Sequence, residues 1–246
     1  MLKKIKNFFK HSKSASKLFI KQFKILKEQE KSTLKRFDLN EVDLYPCLDD
    51  ATSNTGFDRH YIYHPAWATR IVKSYNPDKH IDISSTLHFC SILSAFIPVE
   101  FYDYRPANLS LPNLKSLPGD LLNLPFPDRS VASISCMHTV EHVGLGRYNE
   151  PLDYDGDLKA IAELKRVLVE GGNLLFVVPL GNQSKIMFNA HRIYTKESVL
   201  SLFADLTLQE FTLIPEDEKD GGLIADPSEG LLEKQAYGCG CFWFKK

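Results

Sequence analysis

His138 and His142 stand four residues apart with Glu141 between them, in the string CMHTVEHVG that closes an apolar run. Imidazole exchanges its proton near neutral pH, so either ring suits a general base for a hydroxyl, with a carboxylate to orient it. A helical turn over this segment would bring the two rings to one face. Three readings stay open: a base, an anchor that only holds a loop over a ligand, and a pair of metal-binding imidazoles. The sequence offers no clear third ligand, so no metal is expected.

Three acids stand at comparable places. Asp82 lies in HIDISST, Asp103 ends FYDY about twenty residues later, and Asp120 follows glycine in GDLLNLPFPD. A carboxylate closing a second strand is placed to accept two hydrogen bonds from a ribose diol, and one after a third strand to accept the amine of an adenine. Such a pair favours a neutral or cationic adenosine and repels a polyphosphate. Ser84 and Ser85 precede a helix, where small residues let main-chain N–H groups approach a ligand. Glycines would give the stronger form of this signal, and a plain helix N-cap is the equal alternative for the serines.

Two polar loops offer an acceptor site. Arg147 and Tyr148 sit in GLGRYNE, where two glycines, a cation and an aromatic suit a lid over a sugar or another small polar acceptor. Asn189, His191 and Arg192 sit in FNAHR; His191 and Arg192 either meet a phosphate or carboxylate of the substrate or pair with the protein's own acids. Cys239 and Cys241 fall two apart in YGCGCFWF and share one face of a strand. A metal or redox role is conceivable for them, but Gly238 and Gly240 favour close packing in the last strand.

Positioning these residues takes a sheet. Helices are predicted over 65–74, 87–96, 155–169 and 195–203, and strands over 80–83, 99–103, 131–137, 173–178, 206–214 and 240–244, with a short strand ending near Gly119. Strand, helix and strand in alternation imply an α/β, Rossmann-like fold: a mostly parallel central sheet with helices on both faces and ligands bound outside the carboxyl ends of its strands.

With 246 residues, 43% of them hydrophobic, the chain can bury one sizeable core. Five cysteines without paired CxxC spacing argue against a disulfide framework and suit a reducing cytosol. No apolar run approaches the roughly 18 residues that a membrane-spanning helix needs. The net charge of -1 hides an asymmetry: residues 1–36 hold twelve Lys and Arg against Glu28 and Glu30, so the remainder is strongly acidic. An acidic body argues against nucleic acid as a partner. In the basic segment Leu2, Ile5, Phe9, Leu18 or Phe19, Phe23 and Leu26 recur at roughly helical spacing among lysines. That amphipathic helix either adsorbs to an anionic membrane surface, at the inner face of the cell membrane, or packs with its lysines in water. The expected organisation is a basic helical segment over 1–37, a linker or cap over 38–58 and the α/β domain over 59–246.

The stretch LPGDLLNLPFPDRSVASISCMHTVEHVG, followed by ELKRVLVEGGNLLFVVP, resembles class I S-adenosylmethionine-dependent methyltransferases. Asp120, Glu141, His142, Arg166, Gly171 and Gly172 fall on that family's positions. The longer EHVGLGRYNEPLDYDGDLKAIAELKRVL, with FNAHRIYT, is similar to a narrower methyltransferase-like family named only as a domain of unknown function and linked to bacterial surface-polysaccharide assembly. This resemblance covers roughly residues 57–246. It implies S-adenosylmethionine as cofactor, with Asp82, Ser84 and Ser85 along the methionine moiety, Asp103 on the ribose, Asp120 with Leu121 on the adenine, and His138 on the cofactor cleft. At Ser84 the sequence departs from the family's glycine. The activity implied is O-methylation of a sugar in a surface-glycan intermediate on the cytosolic side; the alternative is a non-catalytic scaffold subunit of a glycan-assembly complex.

Overall fold

The computed structural model describes residues 13–246. The parts that Leu2, Ile5 and Phe9 were expected to play in the basic helix lie outside the described residues. The chain divides into two compact units, one ending at Gly56 and one running Phe57–Lys246. In the first, helix α1 (Lys13–Lys31) carries Lys31 in its last turn, where a cation meets the carbonyl end of the helix dipole. A short 3-10 turn, Glu41–Asp43, follows.

The second unit opens with α2 (Arg59–Tyr75), which starts ahead of the expected Pro65. The Asp58 side chain caps it, accepting the Tyr61 N–H at 3.2 Å. Proline favours a first helical turn because it lacks an N–H, yet Pro65 sits in the second turn here, so the earlier cap overrides the proline signal. Then come β1 (His80–Ile83), α3 (Leu87–Leu93), β2 (Val99–Asp103), β3 (Leu114–Pro118), β4 (Val131–Met137), α4 (Gly156–Val167) and β5 (Leu168–Leu180). An outlying hairpin of β6 (Lys185–Met187) and β7 (His191–Ile193) precedes α5 (Lys196–Leu202), β8 (Thr207–Ile214), β9 (Ile224–Ala225), α6 (Glu229–Leu232) and β10 (Gly238–Lys245).

The large sheet runs β3-β2-β1-β4-β5-β10-β8-β9. Its strands from β3 to β5 pair in parallel, and β10 lies antiparallel to both β5 and β8. This is the Rossmann-like architecture expected from the sequence. Alternate residues of the strands feed two cores. On one face Ile134, Phe176 and Phe242 pack with Ala160, Ile161 and Leu164 of α4 and Val199 of α5. On the other, Met137, Leu175 and Cys241 pack with Trp67, Ile71 and Val72 of α2 and Phe89 of α3.

All four residues of β1 are buried, two of them ionisable. His80 and Asp82 survive there because a chain of hydrogen bonds closes around them: Tyr75 OH to Ser133 Oγ at 2.9 Å, Ser133 Oγ to His80 Nδ1 at 2.6 Å, His80 Nε2 to Ser135 Oγ at 2.8 Å. Ser135 Oγ in turn donates to Asp82. It therefore accepts the Nε2 proton, which fixes the tautomer of a neutral His80. The chain ties α2, β1 and β4 together beneath the point where strand order reverses. Asp82, expected on the methionine moiety, is spent on this chain and on the Ser85 N–H at 3.0 Å, and does not reach the ligand side of the turn.

Candidate functional site

Strand order reverses between β1 and β4, and in an open α/β sheet a ligand crevice forms there, outside the carboxyl ends. A cavity of about 810 Å³ occupies that place. Its floor is the turn after β1. Ser84 is left-handed there, with φ 53°, which accounts for the glycine that the family resemblance leads one to expect. The turn is pinned on several sides: Ser84 Oγ donates to Tyr102 O at 3.1 Å, Ser85 Oγ accepts Met137 N–H at 3.0 Å, and Thr139 Oγ1 donates to Ser84 O at 3.0 Å.

Asp103 and Asp120 stand on the cavity wall beyond successive strand ends, with Leu121 beside them. Each carboxylate is oriented by its own turn, Asp103 by the Arg105 N–H at 2.6 Å and Asp120 by the Leu122 N–H at 2.9 Å. Gly119 makes this approach possible, because a Cβ there would lie 2.9 Å from Cβ of Tyr102.

The opposite wall carries His138, Glu141 and His142. The expected helical turn is not what joins them. His138 leaves β4 left-handed, with φ 56°, and Val140–His142 forms a 3-10 turn, so the rings do not share a helix face. Both instead flank one carboxylate: Glu141 Oε1 lies 2.9 Å from His138 Nδ1 and 3.8 Å from His142 Nε2. The buried Glu141 Oε2 has no hydrogen-bond partner among the described residues. His142 Nδ1 meets Ala190 O at 2.6 Å, so it carries the proton and leaves Nε2 with a free lone pair. Burial opposes charge on His138, but Cys239 Sγ at 3.4 Å and the Glu141 carboxylate turn the shift upward and hold its pKa above the ordinary imidazole range. Both ring nitrogens of His138 already face a partner, so His142 is the better base of the two.

The lid loop is built on Gly144, left-handed at φ 80°, where a Cβ would fall 2.1 Å from Asp153 O. The Tyr148 ring is approached by two guanidinium groups, Arg105 at 4.5 Å and Arg147 at 5.3 Å from its centre, and all three residues line the cavity. His191, on β7, also lines the cavity and keeps a buried Nε2 without a partner among the described residues. Burial lowers its pKa.

Two residues expected on the substrate lie elsewhere. Arg192 is buried, donates to Val143 O at 2.7 Å and Tyr154 O at 2.9 Å, and pairs with Asp157 at 3.5 Å. It anchors the lid loop from behind. Asn189 is exposed at the tip of the β6–β7 hairpin, outside the cavity. Tyr61 and Tyr237 line the cavity without having been singled out from the sequence. The string RHYIYH over 59–64 held the signal for the first of them, hidden by taking Pro65 as the helix start.

Residues 128–213, about a third of the chain, match a family model described as Caenorhabditis protein of unknown function, DUF268. No curated protein matches the chain. Among solved structures, the chain is similar to the Burkholderia thailandensis 1,6-didemethyltoxoflavin-N1-methyltransferase with bound 1,6-didemethyltoxoflavin and S-adenosylhomocysteine. That likeness has a TM-score of 0.53 and 11% identity, and covers 74% of this chain and 78% of that one. It is also similar to a candidate methyltransferase from Bacillus halodurans C-125, with a TM-score of 0.50, 16% identity and coverage of 74% and 98%. A third is the MccD protein, with a TM-score of 0.51, 13% identity and coverage of 73% and 96%. At these identities the likeness establishes the fold.

Proposed function

We propose that the chain is an S-adenosylmethionine-dependent methyltransferase that methylates a hydroxyl of a small polar acceptor. The cavity at the strand-order reversal, walled by Asp103 and Asp120 on one side and by the Glu141–His142 pair on the other, carries this reading. Two carboxylates on one wall repel a polyphosphate and suit an uncharged adenosine. The His88 and Phe89 amides in the first turn of α3 are already taken by Thr86 Oγ1, at 3.1 and 3.4 Å, so fewer donors are left there for an anion.

The residues present fit the cofactor. The Ser84–Ser85 turn would lie along its methionine portion, Asp103 on the ribose and Asp120 with Leu121 on the adenine. The buried, unpartnered Glu141 Oε2 supplies negative potential where a cation is to sit. When bound, the cofactor supplies an activated methyl group for in-line displacement by the acceptor oxygen. The chain's own work is to hold the acceptor in line and to take its proton. His142 Nε2 receives that proton, Ala190 O fixes the tautomer, and the Glu141 carboxylate stabilises the ring once charged. Arg147, Tyr148 and His191 form the acceptor side. The choice of a sugar hydroxyl of a glycan intermediate rests on the sequence resemblance over roughly residues 57–246.

Incubation with methyl-labelled S-adenosylmethionine and a panel of sugar acceptors tests the reading. Label should move to one acceptor, and His142→Ala should slow this by about 10²–10⁴-fold with cofactor affinity unchanged. Cofactor binding with no label on any acceptor would contradict the enzymatic reading; a parallel loss of affinity in the variant would make His142 part of the binding wall.

A further inference from the structure

We propose that His60, His138 and Cys239 form a site for a borderline-soft divalent metal ion, zinc in the first instance. The site goes beyond methyl transfer and does not depend on it. The three residues come from three elements, the first turn of α2, the end of β4 and the start of β10, and one ligand atom from each lies within 4.8 Å of the other two. Cys239 Sγ and His138 Nε2 are 3.4 Å apart. Zinc bonds of about 2.3 Å to sulfur and about 2.0–2.1 Å to nitrogen, at a tetrahedral angle, place those two atoms roughly 3.5 Å apart. The spacing is therefore that of ligands around a common ion.

The surroundings carry the argument further. A metal-binding imidazole commonly gives its other N–H to a carboxylate, which fixes the ring and strengthens the ligand. Glu141 Oε1 stands 2.9 Å from His138 Nδ1, and this leaves Nε2 facing the Cys239 sulfur. The His60 ring stacks on Tyr237, their centres 5.1 Å apart. The His60 and His138 rings stack 5.1 Å apart. Cys239 is wholly buried, which denies it the access that a nucleophilic thiol needs, yet serves a metal thiolate. Beside this group lies the wholly buried His64, whose Nδ1 meets His60 O at 2.6 Å and whose Nε2 has no partner among the described residues. Its ring is 5.1 Å from that of His138.

One thiolate and two imidazoles select zinc and its neighbours over magnesium or calcium, which prefer oxygen. Three protein ligands leave a fourth position, and His138 also lines the cavity, so the ion would stand at the cavity wall. Full-length protein, stripped with chelator and reloaded with cobalt(II), should show the near-ultraviolet sulfur-to-cobalt charge-transfer absorption of a thiolate ligand. Zinc should displace it stoichiometrically. Cys239→Ser should lose the absorption, whereas Cys47→Ser, at an exposed cysteine of the first unit, should keep it. Glu141→Gln should weaken zinc binding by about 10–100-fold, an effect that a merely structural carboxylate would not produce. Folded wild-type protein that gives no charge-transfer absorption overturns the proposal, whatever the variants do, and so does a Cys239→Ser protein that retains it.

Discussion

Asp103 and Arg192 show how far a single residue can be read without its neighbours. Asp103 was legible because a carboxylate that closes a parallel strand must emerge at the ligand edge, and it lines the cavity. Replacing it with alanine should weaken cofactor binding by about 1.5–3 kcal/mol, the worth of hydrogen bonds to a charged group, and an unchanged affinity by calorimetry would remove the ribose assignment. Arg192 was legible only as one of two alternatives, substrate contact or pairing with the protein's own acids, and its position on the rim said nothing of the carbonyl and carboxylate partners that turn its guanidinium inward. Asp82 failed for the same reason: burial and Ser135 claim it first. His60 was missed, and Cys239 was read first as strand packing with a metal role as the alternative, because the neighbours that give them meaning are remote in sequence and come together only in the fold. Ser84 departs from the expected glycine in type but not in backbone conformation. Its left-handed φ costs a non-glycine residue roughly 1–2 kcal/mol. Ser84→Gly should therefore leave the thermal midpoint near that of the wild type, trading relieved strain against the lost bond to Tyr102 O, and Ser84→Val should lower it. Equal midpoints for the two variants would contradict the turn.

At the scale of elements, β1, β2 and β4 matched their predicted bounds because buried parallel strands write themselves as short apolar runs between turn residues. The hairpin β6–β7 carries no such pattern: β6 is exposed throughout and each strand has only three residues. It nevertheless brings His191 to the site, so an illegible element carries a legible residue. The chain from Tyr75 to Asp82 ties the elements beneath the site, and it makes a prediction about acid. Burial lowers the His80 pKa to about 3, so the folded state needs the neutral ring while the unfolded chain takes a proton below about 6.5. Stability from this group is full above that pH and is lost as pH falls toward 3. Asp82 runs the other way: burial raises its pKa to about 6, so its share is full below the ordinary carboxylate range and is lost as pH rises through 6. His80→Gln, which keeps a donor and an acceptor, should lose less of its thermal midpoint than the wild type between neutral pH and about pH 5. Identical pH profiles would mean that His80 is not held neutral.

The whole molecule pairs an acidic α/β body with a lysine-rich segment, a division that composition alone exposed. Among the described residues no helix is long and apolar enough to cross a membrane. On α1, Leu18, Ile25 and Leu26 are exposed and fall seven and eight residues apart, which puts them on one face. The chain should therefore sediment with anionic vesicles, with about 1 kcal/mol from each basic residue near the surface, and release as salt is raised. A chain lacking residues 1–36 should stay in solution; undiminished binding would put the contact on the body. The architecture itself was legible because alternating strands and helices admit few arrangements, and the grouping of His138, Glu141 and His142 was legible because the three lie within five residues; the long-range approach of His60 and Cys239 to His138 was not, since no local period encodes it. The cofactor and acceptor assignments rest on one claim, that the cavity at the strand-order reversal binds an adenosine cofactor. Calorimetric titration of the full chain with S-adenosylhomocysteine tests it most directly: the account predicts saturable micromolar binding that Asp103→Ala weakens, and no detectable heat at millimolar ligand would contradict it.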